Sequence, residues 1–149
     1  MTGSSQGKVV AVSVGGRKGE KKTPVPTVTL VPDHGVRDDA HAGPGTRQVS
    51  LLMAESIGKM RDRGLAVGPG DFAENVTVEG FDLLNVRPGD RIRVGEAVLE
   101  ISQIGKECHD RCAIYFQAGD CVMPREGVFA RVIRGGAVVP GDIVRREDP

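Results

Sequence analysis

Residues Arg91–Ile104 read RIRVGEAVLEISQI. Apolar side chains recur at alternate positions on both arms: Ile92 and Val94 before Gly95-Glu96, then Ala97, Leu99 and Ile101 after it. A period of two marks a strand with one buried face, and a glycine-containing pair between two such runs reads as a hairpin.

Similar runs flank this hairpin. Gly7–Val14 (GKVVAVSV) and Thr27–Val31 (TVTLV) are Val-rich strand candidates, and Phe72–Val78 is another, placed after the Gly68-Pro69-Gly70 turn. Gln48–Leu52 (QVSLL) reads as a strand feeding a helix over Met53–Arg63, in which Met53, Ile57 and Met60 keep helical spacing and Gly64 supplies a stop. Val128–Arg145 holds two further short apolar runs separated by Gly135-Gly136. Between the first two strands, Gly15–Pro26 (GGRKGEKKTPVP) is too rich in glycine and proline for regular structure, so Arg17, Lys18, Lys21 and Lys22 are expected on a loop. Short strands, frequent turns and little helix predict a mainly β domain, a closed or nearly closed β-barrel with one or two short helices; closure removes exposed strand edges. Residues 1–6 are expected to be disordered and 7–147 to form a single domain.

Composition narrows the function. The chain has 149 residues, with 20 Lys+Arg balancing 20 Asp+Glu, 3% aromatics and no Trp. Nucleic-acid binders need a basic footprint and often stacking aromatics, so this balance argues against that class. No apolar stretch approaches the roughly 18 residues of a membrane span, and the first residues, MTGSSQG, lack the pattern of a signal peptide. The 3 cysteines cannot all pair, which favours a reducing, cytoplasmic setting.

All three cysteines fall in Gly105–Glu126, GKECHDRCAIYFQAGDCVMPRE. Cys108 lies between Lys106 and the pair His109 and Arg111, and nearby positive charge lowers a thiol pKa and enriches the thiolate. A thiolate serves sulfur transfer, nucleophilic attack or ligation of a soft metal. Cys112 and Cys121 border apolar residues and read equally well as small core side chains. A zinc site built from Cys108, His109, Cys112 and Cys121 is a further reading, although the C-x3-C-x8-C spacing lacks paired CxxC knuckles.

Three other stretches carry polar groups. In Asp38-Asp39-Ala40-His41-Ala42-Gly43, followed by Arg47, His41 reads as a ligand-facing imidazole oriented by Asp39, or as a hydrogen-bonded histidine in an Asp-rich turn. The basic loop reads as a solvated connection or as an anion clamp. Glu74 and Asn75, in Gly68–Gly80, read as binding a polar ligand, or Asn75 as capping a loop. No Walker or dinucleotide fingerprint is present.

Taken in order, RKGEKK (17–22), DAHAG and RQVSLL (39–52), PGDFAENVTVEG (69–80), GDRIRVGEAVLEISQIGKECH (89–109) and GDCVMPREGVFARVIRGG (119–136) closely resemble a stand-alone MOSC domain, the module named for the C-terminal part of molybdenum-cofactor sulfurases. The resemblance implies a β-barrel-like MOSC fold, and molybdenum cofactor (molybdopterin) as the bound small molecule. It further implies Cys108 as the reactive thiol, a sulfur carrier or a ligand to molybdenum within the cofactor. Asp39, His41, Arg47 and Asn75 match the family pattern, and Lys18, Lys22, Lys106, His109 and Arg125 would shape an anionic pocket. One departure stands out: the family commonly has Gly-Asp before Ala-His-Ala-Gly, whereas this chain has Asp38-Asp39. If Asp38 takes a glycine-like backbone conformation, the strain is on the order of 1 kcal/mol.

The sulfurases fuse this module to a pyridoxal-phosphate-dependent desulfurase. The chain is expected to hold no pyridoxal phosphate site, and sulfur would arrive from a separate, cysteine desulfurase-like donor. The leading expectation is thus a molybdenum-cofactor-binding domain that carries or transfers sulfur through Cys108, as a persulfide, in molybdenum cofactor maturation; sulfur transferase activity on the cofactor is left open. The alternatives are a non-catalytic carrier or chaperone docking on a molybdoenzyme, and a partner-dependent reductase of N-hydroxylated compounds.

Overall fold

The computed structural model of the chain describes residues 6–16, 21–40, 42–105 and 126–147. Its strands are β1 (Gln6–Val14), β2 (Thr23–Val25), β3 (Val28–Val31), β4 (Gly35–Val36), β5 (Val49–Met53), β6 (Val76–Glu79), β7 (Arg91–Val94), β8 (Ala97–Ile104), β9 (Val128–Arg134), β10 (Gly136–Val138) and β11 (Ile143–Arg146). The α-helix described, α1, spans Ala54–Asp62 and links β5 to β6.

Among the described residues seven strands close a barrel in the order β11-β7-β8-β9-β5-β6-β1, and β1 pairs back to β11. Neighbouring strands run antiparallel except β5 and β6, whose parallel pairing (Leu51 opposite Val76) needs the crossover that α1 provides. The hairpin read at 91–104 forms with Val94 opposite Ala97, and Gly95 takes the turn at φ +59°, a region open to glycine. Ile92, Val94, Leu99 and Ile101 turn into the barrel with Val9, Val12, Leu51 and Val76, in a core of aliphatic side chains. The β8–β9 register shifts twice, by an extra residue in β9 opposite Val98/Leu99 and an extra residue in β8 between Ile101 and Gln103, which bends the pair around that core. The smaller sheet, β10-β3-β4, adds Val28, Leu30, Val36 and Val138 to the same core.

A second apolar cluster lies between α1 and the barrel wall. Ile57 and Met60 of the helix pack with Leu52, Val67, Phe72 and Phe129. Gly64, at φ +89°, follows the helix as the sequence predicts.

Four details differ from the expectation. Met53 ends β5 and lines the barrel, because it continues the alternation of Val49 and Leu51. Gly15–Pro26 is not wholly irregular: Thr23–Val25 forms β2, pairing with the end of β1. Among the described residues β2 pairs with β1 alone, and such an edge strand tolerates a proline like Pro24. The strand expected over 72–78 begins only at Val76, since the residues before it fold into a turn. The C-terminal stretch yields β9, β10 and β11 rather than two strands.

Candidate functional site

The loop after β4 turns sharply at Asp38, whose φ is +68°. This is the glycine-like conformation considered for that position. It brings Asp39 inward, where Lys22 Nζ donates to Asp39 Oδ1 at 2.9 Å and to Oδ2 at 3.0 Å. Both side chains are fully buried. The Gly15 N–H adds a third donor to Asp39 Oδ1 at 2.9 Å, and the Ala40 N–H donates to the Gly15 carbonyl at 2.8 Å. The ammonium of Lys22 is therefore held inside the protein, not on a solvated loop. A buried ion pair of this kind survives because each charge is matched and hydrogen-bonded. Its position ties together the chain just before residues 17–20 and just before His41.

Glu74 and Asn75 are also fully buried. Asn75 Nδ2 donates to the Ser13 carbonyl of β1 at 3.1 Å, while its Oδ1 accepts the Ser50 N–H of β5 at 3.1 Å. The Asn75 N–H donates to the Ser50 carbonyl at 2.9 Å, and the Ser13 N–H donates to the Asn75 carbonyl at 2.8 Å. Asn75 thus bridges β1 and β5 at the point where β6 enters between them. Both side-chain polar atoms of Asn75 meet protein partners. Glu74 Oε2 accepts the Gly70 N–H at 3.0 Å and Thr77 Oγ1 at 2.8 Å, and Oε1 accepts the Phe72 N–H at 3.2 Å. Burial pushes the Glu74 carboxyl up from its ordinary value, against the hydrogen bonds that pull it down.

Arg47 stands elsewhere, exposed on the flank of the barrel. Its guanidinium lies over the Phe129 ring, 5.3 Å from the centroid, and Nε donates to Gln103 Oε1 at 3.2 Å. Gln103 Nε2 in turn donates to the Gly105 carbonyl at 3.1 Å, and the Gly105 N–H donates to the Gly127 carbonyl at 2.7 Å. Arg47 is therefore linked to the base of the segment that carries Cys108. The far end of that segment is anchored on α1: Glu126 accepts Ser56 Oγ at 2.5 Å and Lys59 Nζ at 2.9 Å.

Lys18, His41, Lys106, Cys108, His109 and Arg125 lie outside the described residues, as do Cys112 and Cys121. Of the remaining candidates, Lys22 and Asp39 meet directly. Asn75 reaches the same strand end through Ser13, and Arg47 attaches to the β8–β9 base. Among the described residues no group of three or more His, Cys, Asp and Glu side chains is arranged to hold a metal ion. No helix among them is long and apolar enough to cross a membrane. The sequence reading did not single out Ser13, Ser50 or Gln103. Their only sequence signal is a polar residue inside an apolar run, which an outward-facing strand position produces equally well.

The MOSC domain model matches residues 38–145, more than half of the chain. Among solved structures, the YuaD protein from Bacillus subtilis superposes with a TM-score of 0.76 at 19% identity, covering 93% of this chain and 94% of that one. YiiM from Geobacillus stearothermophilus gives 0.69 at 22% identity, covering 95% and 75%. YiiM from Escherichia coli gives 0.67 at 22%, covering 96% and 70%. No curated protein matches. These structural likenesses establish the shared fold, and with the family match over 38–145 the chain belongs to the MOSC domain family.

Proposed function

We propose that this protein binds the molybdenum cofactor, or a pyranopterin precursor of it, and carries or transfers sulfur through Cys108. The observation that carries the reading is the family match over 38–145, which spans the Asp39 loop, Arg47, Asn75 and the Cys108 segment together. The residues present fit such a ligand in two respects. Arg47 offers an exposed, planar cation suited to a phosphate, beside the base of the Cys108 segment. Cys108 offers a soft sulfur, the donor type that suits molybdenum or sulfur exchange, flanked by Lys106 and His109, whose charge favours the thiolate. His41, Lys18 and Arg125 complete the proposed anionic pocket, while Lys22, Asp39 and Asn75 act as its supports.

In the sulfur step, the Cys108 thiolate attacks the outer sulfur of a donor persulfide. The new S–S bond forms as the donor leaves as its own thiolate, so no outside oxidant is required. The cofactor, when bound, would supply a molybdenum centre suited to a soft sulfur ligand such as Cys108. The donor is a separate protein of cysteine desulfurase type, and the recipient is a molybdoenzyme or its cofactor.

Mixing the protein with a persulfide donor and a sulfur-dependent apo-molybdoenzyme tests the reading. Repeated activation of apo-enzyme by substoichiometric protein, lost in Cys108→Ser, is expected. Activation that stops at one equivalent would replace transfer with a carrier role, and activation unaffected by Cys108→Ser would exclude Cys108.

A further inference from the structure

Glu74 is a buried carboxyl group that forms no ion pair among the described residues. Burying such a group is costly, and it persists where its hydrogen bonds hold something in place. Its three acceptor contacts with other residues all close the turn at 70–77: the Gly70 N–H, the Phe72 N–H and Thr77 Oγ1. What this turn holds is Gly70. The Gly70 carbonyl accepts the Lys22 N–H at 2.8 Å. The two backbones are so close that a Cβ on Gly70, which sits at φ +88°, would lie 2.3 Å from the Lys22 carbonyl oxygen. Lys22 then grips Asp39, Asp39 takes the Gly15 N–H, and the Gly15 carbonyl takes the Ala40 N–H.

We propose that Glu74 is the positioning residue for the two loops that leave Gly15 and Ala40. Through Gly70, Lys22 and Asp39 it fixes Gly15 and Ala40, the residues from which the basic segment and the His41 loop follow in sequence. The links from Glu74 through Gly70 and Lys22 to Asp39 join buried groups, those at Gly15 and Ala40 are partly buried, and the Gly70–Lys22 contact has no side-chain slack. Movement of the 70–77 turn is therefore passed to Lys22. The proposal rests on the function above only in naming the ligand, a phosphate-bearing pterin.

Amide hydrogen exchange of the full chain tests it. Glu74→Gln keeps the shape but replaces one acceptor oxygen with a donor; Thr77→Val removes one donor, and Thr77→Ser restores it. Val94→Ala, on β7, serves as a control for general destabilisation. Glu74→Gln is expected to speed exchange at the Lys22 and Ala40 amides by about tenfold beyond Val94→Ala at matched loss of Tm, with a smaller rise in Thr77→Val that Thr77→Ser reverses. Acceleration confined to Gly70 and Phe72, or matched at Lys22 and Ala40 by the control, overturns the proposal. If Glu74→Gln does not fold, the Thr77 pair decides. Affinity for molybdopterin released from a donor molybdoenzyme is read on the same proteins. Should the wild-type protein bind none, the proposed ligand falls while the exchange data still decide the linkage.

Discussion

Lys22 Nζ lies 2.9 Å from Asp39 Oδ1 with both side chains fully buried, so a lysine from a run of exposed-looking cations serves as an internal strut. It joins the start of β2 to the loop after β4. Removing the carboxylate alone leaves a buried ammonium without its counter-charge, a change that costs about 3–5 kcal/mol. Asp39→Ala should lower unfolding free energy in urea by that amount. The double variant Lys22→Met/Asp39→Leu should lose clearly less than Asp39→Ala, because neither charge is then stranded. Equal losses would mean that the pair does not act as a unit.

Asp38 at φ +68° is the second local feature with a measurable consequence. Aspartate tolerates this region better than most residues, but glycine is free of the Cβ conflict. Asp38→Gly should raise stability by roughly 0.5–1 kcal/mol, and Asp38→Val should lower it by about 1–2 kcal/mol. Thermal melts of the three proteins give the order. A valine variant as stable as the parent would show that the loop does not need the left-handed conformation.

Glu74 makes the pH dependence distinctive. Desolvation by burial raises its folded pKa above the ordinary 4.5, outweighing the hydrogen bonds from Gly70, Glu74 itself, Thr77 and Phe72. The folded protein then holds this proton more tightly than the unfolded chain. Stability from this group is greatest below 4.5 and declines as pH rises through that value to the raised folded one. Denaturant titrations of wild type and Glu74→Gln across this window should show the wild type losing ground relative to the variant as pH increases. Parallel curves, or a wild type that gains, would contradict the raised value.

Arg47 separates binding from folding. It is exposed, and its contact with Phe129 is a cation–π interaction worth about 0.5–1 kcal/mol at such a site. Arg47→Ala should therefore change stability by no more than about 1 kcal/mol while weakening the binding of phosphate-bearing pterin about tenfold. Isothermal titration with the wild type and variant measures it. Unchanged affinity would remove Arg47 from the site.

The barrel was legible where residue period and burial coincide. The 91–104 hairpin appears with the boundaries its alternation implies, and α1 is flanked by β5 and Gly64 as read. The edge strand β2 was hidden because Pro24 argues against a strand unless its one-sided pairing is known. Nothing local distinguishes Lys22, which turns inward, from its neighbour Lys21; only the loop carrying Asp39, distant in sequence, supplies the counter-charge. Glu74 and Asn75 were recognisable as polar groups in an apolar setting. Their use is internal because the bonds run to Ser13, Ser50 and Gly70, and those partnerships are set by tertiary contact. The resemblance over the motif blocks supplied the family, which the 38–145 match bears out.

Mass spectrometry of gently purified protein reports on the sulfur chemistry itself. Wild type, Cys108→Ser, Cys112→Ser and Cys121→Ser would each be examined intact, with and without a persulfide donor. A sulfur adduct mapped to Cys108, together with bound pterin and molybdenum that only Cys108→Ser fails to retain, is the predicted result. Equal adduct and equal cofactor in all the serine variants would contradict the assignment of Cys108 as the working thiol.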